Sequence, residues 1–252
     1  MDWKRNALFT TLLMVNASWV SAESVDYYVI ADQAKPFQIE RQGEAHSGII
    51  TDIVNAVFKG SEYQLNYQTY PFNRMISLLE SNQEDNWITY GSPKWSKAQS
   101  ENLSDEPVYM VKHRLLSSSK KPLNYRNVSE LHGKVVVLLL GFDYPELQPY
   151  LAQGEVEEMR VKNYQSAFRV INRHPGDLVF VEMKSRITYH LEQLSLDKTQ
   201  YEEHDFSNVI PDYPIHLAFS PNMDEALQAY INQRIKTLKE EGVIDAIVNK
   251  YI

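Results

Sequence analysis

Leu131-His132-Gly133-Lys134-Val135-Val136-Val137-Leu138-Leu139-Leu140-Gly141 decides the fold class of this chain. Its middle, Lys134 to Leu140, is a short apolar run rich in β-branched residues and closed by glycine, the pattern of a buried strand. Upstream, residues 117–127 are polar and contain Pro122, and Asn127-Val128-Ser129-Glu130 opens a short helical turn. Alternation of strand and helix therefore restarts at Lys134 as a second unit. A second breaker-rich stretch, Ser207 to Pro214, has Pro211 and Pro214 flanking Asp212 and Tyr213. Two such breaks imply a lobe inserted into another and joined to it by two crossings.

Outward from this segment the same criteria predict an α/β protein. Strands are expected at Tyr27 to Ala31, Gln64 to Thr69, Trp87 to Tyr90, Val111 to Ser117, Lys134 to Leu140, Leu178 to Val181 and Ile215 to Phe219. Helices are expected at Ile49 to Lys59, Phe72 to Glu80, Pro145 to Gln153, Tyr164 to Asn172, Met183 to Leu194, Met223 to Glu241 and Val243 to Lys250. Acidic runs such as Glu155-Val156-Glu157-Glu158 and Glu202-Glu203 read as solvated faces.

The first 22 residues have the anatomy of an export signal. Lys4 and Arg5 precede an apolar run from Ala7 to Val20, and Val20-Ser21-Ala22 supplies the small residues of a cleavage site after Ala22. The run is too short to span a bilayer, which takes roughly 20 apolar residues. With no cysteine the chain has no disulfide, no thiolate metal site, no cysteine nucleophile and no lipid anchor. The expected destination is the periplasm. Net charge is −8, and the leader itself contributes Asp2, Lys4 and Arg5, so the remainder is more acidic still. That balance argues against nucleic acid as a partner.

Several segments fall in a recognisable order: Lys35-Pro36-Phe37, then Gly48-Ile49-Ile50-Thr51-Asp52-Ile53, then Tyr70-Pro71-Phe72-Asn73-Arg74. Gly91-Ser92 through Lys97, Leu103-Ser104-Asp105-Glu106-Pro107-Val108-Tyr109, the Leu131 to Phe142 stretch and Gly176-Asp177-Leu178-Val179-Phe180-Val181-Glu182 follow, with Leu238 to Gly242 and Ile247 to Tyr251 at the end. Over nearly all of the chain after the leader, this order resembles the family-3 periplasmic solute-binding proteins, the amino-acid-binding components of ABC transporters. The resemblance implies a two-lobe periplasmic-binding-protein type 2 fold, each lobe a mixed sheet flanked by helices, joined by two hinge strands near Tyr109 and Tyr213. Lobe 1 would comprise residues 23–109 and 214–252, and lobe 2 residues 110–213. The implied function is a monomeric clamp that captures a small polar solute, an amino acid or related zwitterion, for an inner-membrane permease, closing by hinge motion.

The resemblance also assigns residues to the cleft. The lobe-1 arginine that grips the ligand carboxylate in the family has its place taken by Lys97, a point charge without the planar fork; a solvated surface lysine is the competing reading. Phe72 falls where an aromatic wall is expected, or else starts a helix as a core residue. Tyr90 and Ser92 fall among the family's backbone and hydroxyl contacts. Ala34 stands where an aromatic is usual, leaving Tyr70 or Trp95 to supply that surface. On lobe 2, Gly141 and Phe142 occupy a carboxylate-binding helix start, with Asp143 as an expected N-cap that would repel an anion. Glu182 ends an apolar strand where the family holds the ligand's amino group, and competes with a role in stabilising the next helix. Arg74 is either a second anion contact or a surface residue.

Other chemistry finds little support. The seven histidines, His46, His113, His132, His174, His190, His204 and His216, include no pair at the i, i+4 spacing of a helical metal site. No nucleophile elbow or phosphate-cradling glycine loop is present, and no cofactor is expected. Two alternatives stay open: a cyclohexadienyl-dehydratase-like enzyme on the same fold, with Glu182 as general acid, and a sensing module that uses the clamp without transport.

Overall fold

Two five-stranded sheets organise the computed structural model, which describes residues 23–41, 46–81 and 86–252. The leader lies outside the described residues. The first sheet contains β1 (Ser24–Ile30), β2 (Gln64–Tyr70), β3 (Trp87–Gly91), β4 (Tyr109–Val111) and β10 (Tyr213–Phe219), in the order β2-β1-β3-β10-β4. The second contains β5 (His113–Ser118), β6 (Val135–Leu139), β7 (Glu157–Val161), β8 (Leu178–Met183) and β9 (Tyr201–Asp205), in the order β7-β6-β8-β5-β9. Each sheet is mixed in the same way. Three parallel strands sit at one side, and an antiparallel strand, β10 or β5, inserts between them and an edge.

The strands of Val135 to Leu139 and Leu178 to Met183 are buried throughout their centres because helices cover both faces. One face of the second sheet packs Leu115, Val136, Leu138, Val179 and Val181, the other Leu116, Val137, Leu139, Phe180 and Phe168. A separate apolar core under the first sheet joins Tyr27, Val29, Ile53, Val57, Leu217, Ile231 and Ile235. Helices α1 (Ile49–Phe58), α2 (Phe72–Ser81), α6 (Glu225–Glu240) and α7 (Val243–Asn249) serve the first sheet. Helices α3 (Gln148–Ala152), α4 (Tyr164–Arg173) and α5 (Lys184–Gln193) serve the second. The chain end is tied back to α1, with the Tyr251 hydroxyl donating to Asp52 at 2.8 Å and Lys250 pairing with the same carboxylate at 2.8 Å.

Three expectations need correction. The strand from Val111 to Ser117 is two strands in different sheets, because the chain leaves the first sheet at Val111 and enters the second at His113. The Glu157-Glu158 and Glu202-Glu203 segments are exposed or half-buried as expected of solvated faces, but they lie in two strands not expected from the sequence, β7 and β9. Both are edge strands, where charged outward side chains block unwanted pairing. The helix from Pro145 splits into a 3-10 turn, Pro145–Leu147, and a short α3, because Pro149 lacks the N–H that a continuous helix needs.

One local feature positions a cleft residue. The loop carrying Phe37 docks on the start of α1, where the Ile49 and Ile50 N–H groups donate to the carbonyls of Pro36 and Phe37 at 3.0 and 2.8 Å. Gly48 makes this possible: its φ is +118°, and a Cβ there would stand 2.6 Å from the Phe37 oxygen. Gly48→Ala is therefore expected to cost about 1–3 kcal/mol, read as a lowered melting temperature, and to displace Phe37.

Candidate functional site

The site grows from the end of β8. Leu178 and Phe180 point toward the α4 and α5 face, and the period of two carries Glu182 to the same side. It is 1% exposed. One carboxylate oxygen accepts the Met183 N–H at 2.8 Å and the other accepts the Tyr164 hydroxyl at 3.0 Å. Arg186, in the first turn of α5, brings Nη1 to 4.0 Å from Glu182. Arg186 is 6% exposed, and its Nε and Nη1 are buried with no hydrogen-bond acceptor among the described residues. A buried donor left unsatisfied costs about 1–3 kcal/mol. A cation in the first turn also opposes the helix dipole. Local preference and observed placement disagree here, as they do at functional sites.

Aromatic rings from both sheets enclose this pair. The Arg186 guanidinium lies 4.6 Å from the Phe142 ring centre and 6.0 Å from that of Phe37, which belongs to the first sheet's core. Phe37 stacks on Tyr90 at 6.0 Å and meets Tyr109 edge-on at 5.4 Å. Trp95 contacts Tyr90 at 5.6 Å and Tyr213 at 6.5 Å, and Tyr213 meets His113 at 5.9 Å. On the other wall Tyr164 stacks on His190 at 3.6 Å. Lys94 spans the seam, its ammonium 5.8 Å from the Tyr213 ring centre and 4.0 Å from Glu146.

Burial sets the electrostatics. It pushes the Glu182 carboxyl up, with Arg186, the Met183 N–H and Tyr164 pulling it back. Burial works against the Arg186 charge, but the surrounding Tyr164, Glu182 and Tyr90 more than offset it and the net shift is upward. Tyr90 and Tyr213 are both pushed up to about 12, mainly by desolvation. His113 and His190 are each held down at about 4, first by burial and then by Arg186. The seam is thus a dry, charged site walled by neutral rings.

The residues expected from sequence divide. Glu182, Tyr90 and Phe142 converge here. Lys97 does not: its side chain is 84% exposed and pairs with Glu101 at 3.4 Å, so it is a surface lysine. Ser92 is buried but spent on its own turn, its N–H donating to Gln99 at 3.1 Å and its hydroxyl accepting from the Lys94 N–H at 3.3 Å. Phe72, 40% exposed, and Arg74, also exposed, start α2 outside the cluster. Gly141 is an exposed turn residue with φ +87°. Asp143 does not cap the following turn; Tyr144 holds the cap position without a side-chain bond. Ala34 is core, and Tyr70 packs on Tyr28 at 5.5 Å.

Sequence reasoning missed Arg186, Phe37, Tyr164, Tyr213 and His190. Arg186 had a signal: it stands four residues after Glu182, across a strand-to-helix junction. A groove of about 470 Å³ along α6, lined by Asp105, Glu106, Gln228 and Lys236, lies apart from this seam. Among the described residues no group of three or more His, Asp or Glu side chains converges as a metal site, and no helix is long and apolar enough to cross a membrane.

Two mixed sheets flanked by helices, joined by two crossings and meeting at a buried polar seam, define the type 2 periplasmic-binding fold. The chain belongs to the bacterial extracellular solute-binding proteins, family 3, whose profile matches residues 28–252. A curated relative is the arginine-binding extracellular protein ArtP of Bacillus subtilis (strain 168), 28% identical over 107 residues, 42% of this chain and 40% of ArtP. The match spans less than half the length of that relative. Similar solved structures include an ancestral cationic amino acid solute-binding protein (TM-score 0.69, 16% identity, covering 90% of this chain and 95% of that one). The GluR0 ligand-binding core in complex with L-glutamate is another (TM-score 0.67, 18% identity, 92% and 99%). Substrate-binding domain 2 of Lactococcus lactis GlnP, in an open conformation, is a third (TM-score 0.65, 16% identity, 91% and 95%).

Proposed function

We propose that this protein is the capture component of an ABC-type transporter, closing over an α-amino acid or a closely related zwitterion. The observation that carries the reading is the buried Glu182–Arg186 pair in a seam walled by rings from both sheets. Family membership supports it. The names of the similar proteins cite arginine, cationic amino acids and L-glutamate, which differ in side chain and share an α-carboxylate beside an ammonium. Glu182 is the group for the ammonium, through charge-assisted hydrogen bonds, with Tyr90 and Phe142 as walls.

In this reading the lobes follow the two sheets, lobe 1 being residues 23–111 and 213–252 and lobe 2 residues 112–212. These bounds shift by one or two residues from those expected from the sequence because β4 and β10 belong to the first sheet, and closure turns about the passages next to Lys112 and Tyr213. Residues 1–22 export the chain and are cleaved after Ala22. The protein works as a periplasmic monomer that docks on a membrane permease, and it is not an enzyme.

The test is thermal denaturation of the purified protein with each of the 20 L-amino acids. A ligand present at 100 times its Kd stabilises by about 2.7 kcal/mol, a rise of roughly 5–10 °C for a domain of this size. Lys97→Ala is expected to leave that shift unchanged; loss of binding in it would return the anion site to the lobe-1 loop. The raised carboxyl of Glu182 favours a second reading, a dehydratase acid, and one similar structure is described as a precursor of cyclohexadienyl dehydratase. Both Glu182 oxygens already accept hydrogen bonds, which suits an anchor better than a proton donor. No turnover of prephenate or arogenate is expected.

A further inference from the structure

We propose that Arg186 is the group that holds the solute's carboxylate, so that lobe 2 alone reads both charged ends and lobe 1 contributes aromatic walls. The proposal deepens the amino-acid reading above and rests on it. Three observations carry it. Arg186 is buried, yet its Nε and Nη1 have no acceptor among the described residues. Glu182 neutralises its charge from 4.0 Å, too far for a hydrogen bond, so those donors stay unsatisfied, while the Glu182 oxygens, which accept from Met183 and Tyr164, keep further acceptor sites for an ammonium. No lobe-1 cation competes from a buried position: Lys97 is on the surface with Glu101, Lys94 is engaged with Glu146, and Lys35 stands near His190 rather than the Glu182–Arg186 pair.

The geometry suits one ligand class. An acceptor and a donor set side by side, Glu182 and Arg186, match an ammonium and a carboxylate carried on the same α-carbon. A guanidinium also offers the planar donors that a carboxylate takes up. The Phe37 and Phe142 rings, 6.0 and 4.6 Å from the guanidinium, keep water from the contact. The order of events follows: solute docks on lobe 2 while the clamp is open, and the Phe37 loop then covers it.

Calorimetry on the amino acid that gives the largest thermal shift, alongside its methyl ester, tests this. Wild type is expected to bind the ester at least 100-fold more weakly. Arg186→Lys should weaken the amino acid 10- to 100-fold while keeping the fold. Arg186→Met should bind acid and ester within a few-fold of each other. Equal acid-to-ester discrimination in wild type and Arg186→Met overturns the proposal and leaves the amino-acid reading standing, as does loss of discrimination in Arg74→Ala or Lys97→Ala. If Arg186→Met does not fold, undiminished affinity in Arg186→Lys overturns it instead. If no amino acid shifts the wild-type melting temperature, the amino-acid reading itself fails, and this assignment with it.

Discussion

Glu182→Leu is expected to lower stability by about 3–5 kcal/mol, while Glu182→Leu combined with Arg186→Met returns to within about 1 kcal/mol of wild type or exceeds it. The single change strands a guanidinium that is 6% exposed and cannot shed its proton. The double change replaces both ions by apolar groups of similar size beside Phe180, Phe142 and Phe37. Arg186→Met alone should cost less than Glu182→Leu, because burial already pushes the Glu182 carboxyl up and it can neutralise itself by taking a proton. Denaturant unfolding of the three variants at pH 7 checks the ranking. The double variant should fold well and bind no amino acid, which separates the pair's role in capture from any role in stability. Equal losses in all three would mean that packing volume, not charge, governs the seam.

The same pair shows what the sequence could and could not reveal. Apolar runs such as Val135 to Leu139 are legible because burial on both faces demands unbroken hydrophobicity, and Leu178 to Met183 was legible for the same reason up to its last residues. β7 and β9 were not, because an edge strand meets water and its Glu-rich text imitates a loop. Glu182 stood out because a carboxylate closing an apolar strand is anomalous wherever it occurs, and the structure buries it there. Arg186 was missed because counting along the family pattern directed the search for a cation to Lys97. The ring wall was legible only in part: Tyr90 and Phe142 were expected in the cleft, but Phe37, Tyr164 and Tyr213 come from separate segments that only the meeting of the two sheets assembles.

Acid should open this seam before it unfolds the rest. His113 and His190 are each held at about 4, against an ordinary value of 6.5. His113 faces Arg186 and Lys94; His190 faces Arg186 and Lys35 and stacks on Tyr164. Their folded values lie below the unfolded one, so between pH 6.5 and 4 the unfolded chain binds more protons than the folded chain. The stability that these neutral rings contribute is complete above pH 6.5 and is lost as pH falls toward 4. For His113, 5% exposed, that amounts to about 3 kcal/mol. Carboxylates with lowered values, Glu106, Asp197 and Asp205, lose their contribution at more acid pH, whereas the raised Glu182 carboxyl takes its proton in the folded chain first and so offsets part of the histidine loss within the same window. A melting temperature that falls between pH 6.5 and 4.5, and falls less in His113→Phe, is the expected result. His113 also packs on Tyr213 of the first sheet, so if parting of the lobes breaks that contact, ligand affinity should drop through the same window. A wild-type melting temperature flat from pH 6.5 to 4.5 would show that the histidines are not held neutral in the folded chain.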